Sequence, residues 1–190
     1  AALGVQEICS QAGVSKSSFY HFFPSKEALA VAVIDARWKG LGEALGPMLG
    51  SDMRPLNKLR AFFSGLYEVS EEIACKQGAV LGCPFGSLGS ELAASSPAVR
   101  ERVAGVFDGT TRLFGDLLRA AVNAGELPSE FSVEAGAEAL LTLMQGMGVV
   151  GRIYNSPERL RQIGEEGVAR ILRVAKPPEN ERLALNSSAT

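Results

Sequence analysis

Residues 5–29 read VQEICSQAGVSKSSFYHFFPSKEAL. Val5, Ile8 and Ala12 recur on one face of a short helix. Gly13 then supplies a residue that tolerates the cramped or left-handed backbone of a tight turn. Ser15 offers a side-chain oxygen that caps a second short helix, running to about Phe22. Pro24 and Ser25 interrupt again, and Ser25 caps a longer helix starting at Lys26. Two short helices joined by an Ala-Gly-Val turn make the helix-turn-helix arrangement. In it the second helix enters the major groove of duplex DNA while the first lies across the backbone. Ile8 and Val14 are the expected small core that fixes the helix crossing, and Phe19 and Phe22 are expected to be core as well.

The residue types in this stretch suit a nucleic-acid surface. No acidic residue occurs between Glu7 and Glu27, whereas Lys16, His21 and Lys26 all fall in that gap. The small or basic residues Ser15, Lys16, Ser17 and Ser18 open the second helix. Free N–H groups there can meet phosphate, and short side chains allow close approach. Tyr20 carries a phenolic donor for phosphate, and Lys26 stands at another helix start. The expected DNA-contacting set is Gln6, Ser15, Lys16, Ser17, Ser18, Tyr20, His21 and Lys26. Ser17 and Ser18 are either base readers or exposed fillers. His21 and Gln6 are either phosphate contacts or exposed polar residues.

The ordered run AGVSKSSFYHFFPSKEAL resembles the signature of TetR-family regulators. There a Gly-Val-Ser turn leads into a recognition helix with a Tyr-x-x-Phe ending, followed by a Ser-Lys-Glu helix start. The matching residues are Gly13, Val14, Ser15, Tyr20, Phe23, Ser25, Lys26, Glu27 and Leu29. The resemblance implies a one-component transcription regulator of all-α fold. Its expected activity is that of a repressor released from a palindromic operator when a small, largely apolar ligand binds. It also implies a homodimer, because two recognition helices about 34–36 Å apart read adjacent turns of a palindrome. The family has a further helix before this motif. Ala1-Ala2-Leu3-Gly4 reads like the middle of a domain, with that first helix missing.

Beyond this segment, helical periodicity dominates and no alternating strand pattern occurs. Ala28, Leu29, Ala32, Val33 and Ala36 line the third helix, which fades at Gly46-Pro47. The stretch GPMLGSDMRP (46–55) is a loop signal and sets the expected division: a DNA-binding domain over 1–46, a ligand-binding and dimerisation domain over 47–175, and a disordered tail over 176–190. A fourth helix carries Leu56, Leu59, Phe62, Phe63, Leu66, Val69 and Ile73. Residues 78–92, Gly-rich and containing Pro84, predict a broken region. Ser96-Pro97 opens a long helix, with serine as cap and proline in the first turn. Gly125 ends it. Ser132 caps a helix to about Tyr154, and Ser156-Pro157 opens a last, amphipathic one.

By the same resemblance these later helices form a ligand core and a dimer interface. Phe62, Phe63, Leu66, Tyr67, Cys83, Phe85, Phe107, Phe114, Met144 and Met147 are the expected ligand-binding residues, with Trp38 a further aromatic candidate. Leu140, Met144, Gly148, Gly151, Leu160, Ile163, Gly167 and Ile171 are the expected dimer-interface residues, in a four-helix bundle of two helices from each subunit. The alternative is that both stripes serve only the chain's own core. The segment Gly82-Cys83-Pro84-Phe85-Gly86 is similar to a GC-x-x-G stretch of a family subgroup, some of whose members answer to electrophiles or oxidants. Cys83 is therefore either a reactive thiolate or a buried structural cysteine. Cys9 and Cys75 are expected to be packing residues.

Composition excludes much else. Of the 190 residues, 46% are hydrophobic and 21% charged, which suits a core built without disulfides or metals,. Three cysteines without ligand spacing and the single His21 argue against a metal site, and no cofactor is expected,. No Ser/His/Asp or Cys/His grouping or phosphate loop can be nominated, so the chain is not expected to be an enzyme. The most apolar stretch, 139–154, is short and contains Gln145 and Arg152, so no membrane association is expected. No signal peptide is recognisable, and the expected location is the cytoplasm. The competing reading is a helical protein-interaction module without DNA binding.

Overall fold

A computed structural model describes residues 4–173; the expected tail over 176–190 lies outside the described residues. Eight α-helices and no strand occur among them: α1 (Val5–Ala12), α2 (Lys16–Phe22), α3 (Lys26–Leu49), α4 (Pro55–Gln77), α5 (Pro84–Leu92), α6 (Pro97–Asn123), α7 (Val133–Tyr154) and α8 (Pro157–Arg173).

Local chemistry places most of the helix ends. Gly13 adopts φ 66°, and the Val14 N–H behind it donates to the Cys9 carbonyl at 3.0 Å, closing α1 with a left-handed cap,. Ser15 and Ser25 accept from the N–H groups of Ser18 and Ala28, each at 3.0 Å. Ser96 and Ser156 precede prolines and accept from Val99 and Arg159 at 3.2 and 3.1 Å. Proline at the first position gives up an N–H that has no partner there anyway. Ser132 precedes α7 but makes no side-chain cap bond.

Helix α3 does not stop at Gly46-Pro47. It continues to Leu49, with Pro47 inside it. The proline removes one N–H from the ladder, but the Gly50 N–H still reaches the Gly46 carbonyl at 2.9 Å. Leu45, Met48 and Leu49 pack on a hydrophobic core, and that packing outweighs the lost bond.

The chain forms two compact units. One comprises the segment up to Ala44 together with Phe85–Val106; the other comprises Leu45–Pro84 and the segment from Phe107 onward. Contacts thus join Phe85–Val106 to the N-terminal segment, an arrangement that a linear boundary at residue 46 does not express. In the first unit α1 packs on α2, and Cys9, Phe19, Ala30, Ile34, Phe85, Val99, Val103 and Val106 are buried. In the second, α8 packs on both α7 and α4. Its core includes Leu59, Phe62, Phe63, Phe114, Leu118, Leu140, Met147 and Leu160.

Candidate nucleic-acid interface and effector core

The expected DNA-contacting residues form an exposed surface. Gln6, Ser15, Lys16, Ser17, Ser18, Tyr20 and His21 are exposed, and Lys26 is half-buried at the start of α3. Ser15 and Ser18 are coupled: besides the cap bond, their hydroxyl oxygens lie 3.0 Å apart. Ser15 is therefore occupied in starting the recognition helix, while Lys16 and Ser17 beside it remain turned to solvent. Phe19 anchors the helix inward, with its ring 5.2 Å from Tyr20 and 5.9 Å from Phe23.

Two expectations about this motif need correction. Phe22 is not core: it is 72% exposed, with its ring edge-on to His21 at 4.9 Å. Val14 is exposed as well, and Cys9 and Phe19 are the buried residues of the motif. Seven helical residues turn only one narrow face inward, and Phe19 occupies it.

Helix α3 is tied within its own unit to the segment after Phe85. The Ser96 hydroxyl donates to the Glu27 carboxylate. Arg102 forms an ion pair with Asp35. Trp38 meets Phe85 edge-to-face at 6.2 Å. Ser96 thus has two roles, capping α6 and holding the first turn of α3. Sequence reading saw only the first, because the second joins residues 69 positions apart.

In the second unit the structure brings together six of the expected ligand residues. Phe62, Phe63, Tyr67, Phe114, Met144 and Met147 lie in one buried cluster, with Leu66 packed against it. Phe114 is edge-on to Phe62 at 5.2 Å and stacks on Phe63 at 5.8 Å. Phe107 is half-buried and outside that cluster. Phe85 belongs to the other unit, where Trp38 is its aromatic neighbour. Cys83 is half-buried, with the Gln145 side-chain amide 3.5 Å from its Sγ. Its segment sits tightly on α7, since a Cβ on Gly82 would lie 2.8 Å from the Gly148 carbonyl oxygen. Asn155 secures the same loop, accepting from the Val80 N–H at 2.8 Å and donating to the Gly78 carbonyl at 3.1 Å. Cys75, expected to be a packing residue, is exposed.

Two buried hydroxyls on α4 were not foreseen as a pair. The Tyr67 and Ser70 hydroxyls are buried on α4 and have no hydrogen-bond partner among the described residues. Burial, and secondarily the nearby Glu165 carboxylate, pushes the Tyr67 phenol up to about 12. A buried hydroxyl without a partner costs on the order of 1–3 kcal/mol, so these are the unsatisfied donors of the core. Their spacing, i and i+3 on a helix, was visible in the sequence; their burial was not.

The apolar stripes of the last two helices are turned largely into the chain itself. Leu140, Met144, Gly148, Gly151 and Leu160 are buried, and Ile163, Gly167 and Ile171 are half-buried. A Cβ on Gly151 would lie 2.9 Å from Leu160, and one on Gly167 2.5 Å from Leu143. The buried five thus serve the chain's own core, while Ile163, Gly167 and Ile171 keep part of their surface open. Two consecutive amphipathic helices joined by a short turn cover each other's apolar faces first. What α7 leaves outward is Val149, Ile153 and Tyr154, at 62%, 76% and 58% exposure. The Arg159 guanidinium stands 3.9 Å from the centre of the Tyr154 ring.

Comparisons with known proteins accord with this architecture. Residues 1–33 match the family described as bacterial regulatory proteins, tetR family. Residues 55–165 match the tetracyclin repressor-like C-terminal domain. The chain is 31% identical over 160 residues to the transcriptional regulator AcuR of Cereibacter sphaeroides, covering 84% of this chain and 71% of that one. It is 25% identical over 159 residues to the HTH-type transcriptional repressor DhaR of a Mycobacterium species, covering 83% and 76%. A crystal structure of a regulatory protein TetR from Rhodobacter sphaeroides superposes with a TM-score of 0.77 at 30% identity, over 88% of this chain and 87% of that one.

Proposed function

This chain belongs to the TetR family of bacterial regulatory proteins, and from that premise we propose that it is a homodimeric repressor which leaves a palindromic operator when a small effector binds. That it is a DNA-binding transcriptional regulator, and not an enzyme, follows from the family itself. The observation that carries the operator reading is the face of α2: Lys16, Ser17, Tyr20 and His21 are all exposed on one short helix that Phe19 anchors from behind. Lys16 and Ser17 stand at its N-terminus, where a recognition helix meets base edges. The name of the Mycobacterium relative supports repression as the direction.

The effector reading rests on the second unit. Its polar contacts are the Tyr67 and Ser70 hydroxyls, and its apolar contacts are Phe62, Phe63, Phe114 and Met147. The effector thus presents a hydrogen-bond acceptor on a small apolar body. The dimer contact uses the outward residues of α7, Val149, Ile153 and Tyr154. Effector binding favours the state in which the two recognition helices fail to match successive grooves, and release follows from that difference in affinity. No helix among the described residues is long and apolar enough to cross a membrane, and the protein works in the cytoplasm, where the chromosome is.

Selection of random duplex DNA by the full chain tests the operator reading. Recovery of a palindrome is expected, with binding that falls steeply as salt rises and collapses in a Tyr20→Ala, Lys26→Ala double variant. A folded dimer that enriches no sequence overturns the operator and leaves a helical interaction module as the better description.

A further inference from the structure

We infer that Phe22 is a non-ionic DNA contact, an aromatic ring that packs on the deoxyribose edge of the groove rather than on a phosphate or a base. The inference rests on the operator reading above. Phe22 closes α2 and is the most exposed large aromatic residue among those described, at 72%. The inward anchoring of the helix is already complete without it, through the buried Phe19 and the half-buried Phe23. Among the described residues its ring contact is edge-on to His21 at 4.9 Å and 79°, which fixes the ring's direction but covers little of it.

A ring this bare on a polar helix calls for an occupant, and two observations point to DNA. The surface is continuous with the recognition face: Ser18, one turn earlier on the same side, and His21, one residue earlier, are both exposed. The charge is also complementary to a polyanion, since no acidic residue lies between Glu7 and Glu27 while Lys16 and Lys26 flank the helix. Chemistry then narrows the contact. Phe22 has no donor for a phosphate. It stands at the end of α2 opposite the N-terminal residues that reach base edges. The apolar part of the DNA backbone that borders the groove is the sugar. Such a contact releases no counterion and carries no sequence information.

The test is binding of the full chain and its Phe22→Ala and Phe22→Leu variants to the selected operator and to an unrelated duplex, over a range of salt. Phe22→Ala is expected to bind both duplexes roughly ten-fold more weakly, the worth of a largely covered ring. The slope of log affinity against log salt should stay the same, as should the melting temperature. Phe22→Leu, which keeps an apolar side chain, should recover most of the loss. Unchanged affinity in Phe22→Ala overturns the inference. So does a loss confined to the operator, which would mean base reading, or a lowered melting temperature in both variants, which would mean that protein covers the ring. These outcomes leave the operator reading intact. Wild-type protein that retains no duplex overturns both.

Discussion

Helices α2 and α4 both carry aromatic runs, and the two runs meet opposite fates. In α2, Phe19 is buried and Tyr20 and Phe22 are exposed, and Phe23 just beyond it is half-buried. In α4, Phe62, Phe63 and Tyr67 are all buried. The residue types are nearly the same, so hydrophobicity alone does not separate them. The difference lies in what surrounds each helix. Helix α2 has seven residues and packs on the eight-residue α1, so it can turn only one narrow face inward. Helix α4 has 23 residues; it packs on α8, and the Phe114 ring of α6 meets both of its phenylalanines. A run of aromatics means core where several elements converge. On a short helix with one inward face it means core on one side and contact surface on the other.

The largest test of that contrast is a pair of truncations. Phe114→Ala should cost about 3–5 kcal/mol in urea denaturation, because it removes a fully buried ring from a three-ring cluster,. Phe22→Ala should change stability by no more than about 0.5 kcal/mol, as for an exposed site. Equal costs at the two positions would break the comparison.

Alkaline titration probes the unpartnered phenol. The Tyr67 pKa in the folded chain is raised to about 12, above that of an unfolded tyrosine near 10. Its contribution is therefore fully present below about pH 10 and is lost as pH rises toward 12, because the unfolded chain releases that proton first. A loss of up to roughly 2–3 kcal/mol across that window is expected, and it should be absent in Tyr67→Phe.

Gly164→Ala sharpens the same region. A Cβ there would lie 2.2 Å from the Tyr67 hydroxyl oxygen and 2.9 Å from the Met147 sulfur. Alanine is the better helix former, yet overpacking should prevail and destabilise by about 1–3 kcal/mol. Removing the hydroxyl with Tyr67→Phe should recover part of the loss, and strict additivity in the double variant would refute direct contact. The smallest effect on stability is expected at Lys16→Ala. It should leave the melting temperature unmoved, weaken binding to every duplex and lower the salt slope by about 1 per recognition helix.

Much of the fold was legible because helix ends are local events. Gly13, Ser15, Ser25, Ser96-Pro97, Gly125 and Ser156-Pro157 each act within about one turn of themselves, so spacing alone locates them. Pro47 was misread because its cost is local while the packing of Met48 and Leu49 that overrides it is not. The candidate site divides the same way. The polar set on α2 could be named from residue type and order. Which of Phe19 and Phe22 faces inward could not, since seven residues set no clear period.

The sequence by itself determined the helical class and the helix-turn-helix, because each depends on chemistry within a few positions. Only the tertiary structure decided that Phe22 and Val14 face outward, that Ser96 holds Glu27, that Phe85 joins Trp38 in the first unit, and that the Tyr67 and Ser70 hydroxyls are buried without a partner among the described residues. It also decided that α7 and α8 pack on each other. A stripe records that a face must be covered, and only packing between distant segments determines what covers it.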